Sequence, residues 1–494
     1  MINSIKSLDR RQWLQRITGG SLTAALTRLQ ASGAARPNIL FLLTDDQRFS
    51  TLNAINNSEV QTPTMDRLVR NGTAFTSAGI MGGSIGGVCV PSRAMLMTGQ
   101  TLFHVDRSIV RPERVRPEER PPYIMFPELL RQQGYETFAT GKWHNGEKTF
   151  ARCFSAGENI FFGGMANHLA VPVTDFDPTG EYPKSKRYKG EKFSSELFSD
   201  SAVKFLGKAP KDKPWLAYVA YTAPHDPRMA PKEYAALYAP AKIKLPPNFL
   251  PEHPFDNGDL RTRDEQLAPW PRTPEVIREH IAAYYAMITH VDAQMGRVLK
   301  ALEETGQAEN TIVVFAGDNG LALGQHGLLG KQNTYEHSVR VPLVIGGAGL
   351  PKGRRSGAMC YLYDVFPTLC DLTGTKTPKT VEGSSLAPLL RGQAEKVRDS
   401  MFFAYRDFQR AVKTDRWKLI LYNVDGRKRT QLFDLRNDPA ETRNVAAEPG
   451  QETRIRELTA LMKSWMKKTD DAVDLDKPDW GLKPAADSKR GKSE

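Results

Sequence analysis

Cysteine is scarce in this chain, four residues in 494, too few for the cross-linked framework that holds small secreted domains together. No run of 18 or more apolar residues occurs, so no segment reads as a membrane-spanning helix. Internal repeats are absent. So is a dense basic stripe interleaved with aromatics, the footprint of a nucleic-acid binder. Lys and Arg outnumber Asp and Glu by 68 to 56, a formal net charge of +12. Residues 1–35 hold +4 of this, from Lys6, Arg10, Arg11, Arg16 and Arg28 against Asp9, leaving a mild +8 for the rest. Such a surplus fits solvated surface, and it also suits the capture of an anionic substrate. Hydrophobic residues at 40%, aromatics at 9% and charged residues at 25% are globular proportions, which excludes a disordered or collagen-like chain. The length accommodates one large domain with a smaller companion.

At the N-terminus, Asp9-Arg10-Arg11-Gln12-Trp13-Leu14 places paired arginines before a weakly apolar run, Ile17 to Leu26, and a small-residue stretch ending at Ala35. This resembles a twin-arginine leader, and the expectation is export to the periplasm or beyond.

From Pro37 the pattern is α/β. Asn38–Leu43 is a continuous apolar run of the kind buried on both faces in a parallel sheet. Further strands are expected over 135–139, 215–221, 311–315 and 341–345, and helices over 63–70, 126–133, 276–304 and 363–372. The alternation predicts a large, mostly parallel sheet flanked by helices. From about residue 400 the period shortens to strands at 401–406, 410–414, 417–422 and 430–435, then an amphipathic helix near 453–467. That reads as a smaller C-terminal antiparallel sheet subdomain. The expected division is 1–35 leader, 36–398 catalytic domain, 399–470 C-terminal subdomain and 471–494 disordered tail. The Pro- and charge-rich segments 107–122 and 227–275 read as long surface loops.

Ligands of open α/β sheets bind beyond the carboxyl ends of the strands. Here the first strand runs into Asp45-Asp46, another into Lys142-Trp143-His144, a third toward His225 and a fourth into Asp318-Asn319. Asp45, Asp46, Asp318 and Asn319 offer only hard oxygen donors, which suit Ca²⁺ or Mg²⁺ rather than zinc. Adjacent carboxylates at a buried strand end repel each other without a cation between them. Lys142, Lys331, His144 and His225 around such an ion can hold a tetrahedral oxyanion and move protons. This chemistry points to hydrolysis of a phosphate or sulfate ester.

The segment Cys89-Val90-Pro91-Ser92-Arg93, followed by Thr98-Gly99, resembles the C-x-P-S-R-x(4)-T-G signature of the type I sulfatases of the alkaline-phosphatase-like superfamily. The resemblance extends from about Pro37 to Lys468, through NILFLLTDDQ, GKWH, APHDP, GDNG and GLLGK. It implies that a maturation enzyme converts Cys89 to formylglycine, whose hydrated aldehyde is the nucleophile. It further implies that Asp45, Asp46, Asp318, Asn319 and the modified Cys89 bind one divalent cation, and an all-protein oxygen cage favours calcium over the more strongly hydrated magnesium. Arg93 would support the diol, Lys142 and Lys331 would clamp the sulfate, His144 would act on the diol hydroxyl, and His225 would protonate the leaving alcohol. Cys153, Cys360 and Cys370 lack metal-ligand spacing and read as structural or free thiols.

The expected substrate is a sulfated carbohydrate attacked at its end, in a pocket walled by the loops 104–122, 160–190 and 400–410. Arg107, His168, Tyr405 and Arg406 are the candidate substrate contacts. Two alternatives stay open: a phosphonate monoester or phosphodiester hydrolase with the same nucleophile, and a non-catalytic anion-binding relative in which Cys89 is never converted.

Overall fold

The computed structural model describes residues 36–55, 57–478 and 480–483. The leader expected over residues 1–35 and the end of the tail lie outside the described residues. In chain order the strands are β1 (Asn38–Thr44), β2 (Gly72–Gly79), β3 (Gly82–Gly83), β4 (Glu136–Lys142), β5 (Ala156–Phe161), β6 (Pro172–Val173), β7 (Tyr188–Lys189) and β8 (Trp215–Ala220). They continue with β9 (Thr311–Gly317), β10 (Leu343–Gly347), β11 (Arg354–Tyr361), β12 (Met401–Tyr405), β13 (Gln409–Lys413), β14 (Trp417–Val424) and β15 (Arg427–Asp434).

Eight strands form the main sheet in the order β11-β2-β10-β9-β1-β8-β4-β5. β10 runs antiparallel to both neighbours, and the other pairs are parallel. β1 is buried throughout and divides its side chains by parity. Ile39, Phe41 and Leu43 join one apolar core; Leu40 and Leu42 join the other. The long helix Pro274–Glu304 and the helix Ser194–Leu206 pack into the second core. The helices Cys89–Thr98 and Val365–Thr373 pack into the first. This is the mostly parallel, helix-flanked sheet that the alternation predicts.

The smaller sheet is antiparallel over β12 to β15 and has the order β15-β14-β13-β12-β3. β3 comes from the loop just before Cys89 and pairs with β12. Gly82 is required there, with φ 108° and only 2.0 Å between an added Cβ and Ala404 O. A buried ion cluster ties the small sheet to the helix Glu336–Val339, which precedes β10: Glu336 accepts from Lys413 Nζ (2.7 Å) and Lys418 Nζ (3.0 Å). Among the described residues no helix is long and apolar enough to cross a membrane.

Two features depart from the sequence expectations. β2 (GTAFTSAG) and β11 (RRSGAMCY) lack a bulky apolar run, yet both sit in the main sheet. Small residues are needed in β2, since a Cβ at Gly72 would lie 2.8 Å from Ile345 O. Residues 471–478 and 480–483, expected to belong to a disordered tail, are instead tied to the fold. Asp471 is buried against Arg410 in two hydrogen bonds of 2.5 and 2.9 Å, Trp480 is buried, and Lys483 reaches Asp256.

Candidate active site

The strands that end in polar residues, β9, β1, β8 and β4, are consecutive neighbours in the sheet. Their register is level: Thr44 lies beside Gly317, Leu43 beside Ala220, and Ala220 beside Gly141. Asp45, Asp318 and Lys142 therefore leave the sheet at one height. Gly141, at φ 88°, has Ala220 O only 1.9 Å from where a Cβ would stand, so only glycine fits before Lys142. Asp46 (φ 64°) and His144 (φ 59°) hold left-handed backbone, a cost that non-glycine residues bear where the surroundings over-determine the turn.

Cys89 opens the helix Cys89–Thr98. Pro91 suits a first turn, where a missing N–H costs nothing, and Gly99 closes the helix at φ 69° with its N–H on Met95 O. Residues 89 and 93 are four apart and share a helix face. That face meets the strand ends. The Cys89 thiol donates to Asp45 Oδ1 (3.2 Å) and Asp46 Oδ1 (3.6 Å), and it accepts from Lys331 Nζ (2.9 Å). Lys331 Nζ also donates to Asp46 Oδ1 at 2.6 Å. Lys142 Nζ reaches Asp45 Oδ2 and Gly164 O, each at 2.5 Å. Arg93 Nε donates to Asp318 Oδ2 (2.8 Å) and Nη1 to Lys142 O (2.7 Å), while its buried Nη2 has no hydrogen-bond partner. Asn319 Nδ2 donates to Asp46 Oδ1 at 2.7 Å, and its buried Oδ1 is unpaired.

All the sequence-predicted catalytic and metal residues thus meet in one place. One difference concerns the donors. The atoms drawn tightest, within 4.8 Å of one another, belong to Asp45, Asp46, Cys89 and His225. Asp318 is engaged by Asp46 N (3.0 Å) and Arg93. His225 Nε2 lies 3.6 Å from Asp46 Oδ2.

The electrostatics follow from burial and charge. Burial alone would raise the Asp45 carboxyl, but Lys142, His225, Arg93 and Lys331 hold it well below the usual range. Asp318 is pushed up to about 6 by burial and by the Asp45 charge, against the pull of Arg93. Burial and the Asp45 charge raise the Cys89 thiol, so the unmodified side chain is a poor thiolate. Burial and the cations Lys142 and Arg93 lower His144 to about 2, which keeps its imidazole neutral.

A cavity of about 360 Å³ opens over this cluster, lined by Cys89, Lys142, His144, His225 and Lys331. Arg263, Asp264, Met165 and Gln332 also line it and were not anticipated individually. Arg263 and Asp264 come from the long loop 227–275, whose length and charge were the available signal. Gln332 Nε2 ties Asp264 Oδ2 (2.7 Å) to Gly86 O (3.1 Å).

Two expected substrate contacts are corrected. His168 is sealed inside, with Nδ1 2.7 Å from Ser194 Oγ and Nε2 2.9 Å from His225 O, so both ring nitrogens are spent bracing the neighbouring chain. Tyr405 is buried and its hydroxyl donates to Asp259. Arg107 and Arg406 line a separate cleft.

A family model described as Sulfatase matches residues 37–375, and one described as N-sulphoglucosamine sulphohydrolase, C-terminal, matches residues 324–468. An N-acetylglucosamine-6-O-sulfatase of Bacteroides thetaiotaomicron is 24% identical, over 91% of this chain and 89% of that protein. An ulvan-active sulfatase of Formosa agariphila is 29% identical, over 88% of this chain and 81% of that protein. Among solved structures, a protein in complex with its substrate D-glucosamine-2-N,6-O-disulfate superposes with a TM-score of 0.74 at 24% identity, covering 88% of this chain and 99% of that one.

Proposed function

The chain belongs to the sulfatase family, and from that membership we propose that this enzyme releases sulfate from the end of a sulfated carbohydrate. The observation that carries the reading is Cys89, buried at a helix start between the Asp45 and Asp46 carboxylates and within 2.9 Å of Lys331 Nζ. Relatives named for N-acetylglucosamine-6-O-sulfate and ulvan sulfatase activity support a sugar substrate. The small cavity, with a lysine pair and two histidines around one anion position, favours a chain end over a chain interior.

Converted to formylglycine, residue 89 would supply a hydrated aldehyde with two hydroxyls on one carbon, so that one attacks sulfur and the other later expels the sulfate without a second attack at sulfur. Arg93, whose Nη2 lies 3.7 Å from Asp45 Oδ2 and makes no hydrogen bond, supports that group. Lys142 and Lys331 bind the sulfate oxygens as they now bind Asp45 and Asp46. With a bound sulfate offsetting the Lys142 and Arg93 charges that, together with burial, hold its pKa low, His144 accepts a proton from a hydroxyl on residue 89. His225 donates a proton to the departing sugar oxygen, held in place by Nδ1 against Asp226 O at 2.9 Å.

The residues fit one hard divalent cation: three buried carboxylates and the unpaired Asn319 Oδ1 are oxygen donors only. Asp45, Asp46, Asp318, Asn319 and residue 89 would hold it, and calcium suits such an all-protein cage better than magnesium. When bound, the ion would supply positive charge that offsets the carboxylates and polarises the ester. The twin-arginine leader expected over residues 1–35 would send the enzyme to the compartment where extracellular glycans are met.

The test is sulfate release from 4-nitrophenyl sulfate and from sulfated mono- and oligosaccharides, beside phosphate and phosphonate release from the matching aryl esters. Preference for sulfate and for short chains is expected. A larger kcat/KM for the phosphonate ester would favour the other formylglycine chemistry, and faster release from long polymers would contradict chain-end action.

A further inference from the structure

Among the described residues, a second cavity of about 460 Å³ shares no lining residue with the catalytic one. Its volume suits a small ligand. Arg48 enters its wall from the turn that follows Asp46, and Ile281 enters from the helix Pro274–Glu304. Arg48 is only 3% exposed, yet its guanidinium makes no ion pair or hydrogen bond among the described residues. Nε is buried and unpaired, and the group stacks over the Tyr284 ring at 5.4 Å. We propose that this cavity binds a small organic monoanion, a carboxylate on an apolar, ring-sized body, with the carboxylate held by Arg48.

The charge balance of the lining leaves Arg48 over. An arginine stays charged when buried, and a buried charge is unfavourable until it is paired. The other charged residues are already engaged. Glu336 takes Lys413 and Lys418 (2.7 and 3.0 Å), and Glu441 takes Lys418 at 2.9 Å. Arg340 donates to Thr76 O through Nε (2.8 Å) and covers the Phe49 ring at 3.7 Å. Glu59 and Lys244 add one charge of each sign, with Glu59 accepting from Lys244 N at 3.2 Å. His337 is kept neutral by burial, by His326 and by the Arg48 charge, and its buried ring nitrogens take no hydrogen bond from Arg48. One free guanidinium matches one carboxylate, two N–H donors to two oxygens.

The backbone presents that guanidinium ready for a ligand. Tyr284 Oη donates to Asp46 O (2.6 Å) and accepts from Arg48 N (3.0 Å), which pins the turn from both sides. Little ordering is then left for binding to impose. Phe49, Ile281, Leu245 and Pro246 give the cavity apolar surface. A bare inorganic anion would leave that surface unused, whereas an apolar ring covers it and gains from its burial.

The test uses 4-bromobenzoate, with its bromine located by anomalous diffraction and its affinity measured by calorimetry. In the wild type the bromine should lie in this cavity, with the carboxylate on Arg48. Arg48→Gln should weaken binding by about tenfold or more, the loss expected for one partner of a buried charge pair. Neutral 4-bromobenzyl alcohol should bind the wild type more weakly by a similar factor. Lys331→Ala, which removes a cation from the catalytic cavity, should leave the affinity unchanged. Circular dichroism checks that each variant folds. Should Arg48→Gln fail to fold, Leu245→Trp decides, because residue 245 is half-buried at the lining and the larger ring fills the space. It should abolish binding. Equal affinity in the wild type and folded Arg48→Gln, equal affinity for the alcohol, or undiminished binding to Leu245→Trp would each overturn the proposal. So would bromine in the catalytic cavity alone, or no binding to the wild type at millimolar concentration.

Discussion

Lys331 Nζ lies 2.9 Å from Cys89 Sγ, although 242 residues separate the two in the chain. The lysine is buried, and burial alone would lower its pKa; Asp46, Cys89 and Asp264 instead hold it well above the ordinary value. A fixed cation at the reacting position can stabilise charge that develops on a transferring sulfate. Lys331→Ala should lower kcat/KM by about a hundredfold or more, with most of the loss in kcat, while circular dichroism stays unchanged.

Conversion of Cys89 should govern activity. The residue is buried in the folded chain, so the proposed conversion to formylglycine is expected before folding. Protein made without the maturation enzyme should fold but turn over almost nothing. Mass spectrometry of the peptide spanning Val88–Arg93 should show an aldehyde fraction that rises in proportion to activity. Full activity with an intact thiol, or in Cys89→Ala, would refute the mechanism.

Metal removal should act on fold and function together. Clustered buried carboxylates lose their compensating charge without a cation. Chelation should lower Tm and abolish turnover, and calcium should restore both better than magnesium. Asp318→Ala should bind no ion by elemental analysis. Stoichiometric zinc held by the wild-type residues would argue against the hard-cation reading.

If His225 protonates the departing oxygen, its loss should depend on the leaving group. His225→Ala should cost about a hundredfold on a sugar sulfate, within the usual range for general acid catalysis. The cost should be much smaller on 4-nitrophenyl sulfate, whose leaving group needs no proton. Equal losses on both would leave His225 a binding residue only.

His104 provides a pH test away from the catalytic cavity. Its hydrogen bond to Glu382 and then that to Asp470 raise its pKa in the fold, against the effect of burial. A raised histidine contributes stability fully below its unfolded value of about 6.5, and that contribution is lost as pH rises through the folded value. His104→Gln should therefore lower Tm at about pH 5.5, by on the order of 1 °C. The difference should shrink toward alkaline pH, and a constant one would mean that the ion pairs contribute nothing.

Much of the site was legible because chemistry recurs at strand ends. Asp45-Asp46 directly follows an apolar strand, Cys89 stands in a specific signature, and Asp318-Asn319 closes another strand. Arg263, Asp264 and Gln332 escaped because nothing local distinguishes them from surface loop residues. His168 and Tyr405 were misread for the converse reason: a polar side chain in a loop or at a sheet edge looks available until its partners, here Ser194, His225 O and Asp259, are known.

Strand hydrophobicity and the Cys89 signature are local properties of the chain, and they made the parallel core and the sulfatase family readable before any contact was known. Which strands are neighbours, and thus that Asp45, Asp318, Lys142 and His225 share one rim, emerges from the folded sheet. So does the return of residues 470–482 to wall a cleft beside that rim. Both outcomes depend on sheet order and on buried ion pairs such as Arg410 with Asp471, contacts between residues far apart in sequence that no local pattern encodes.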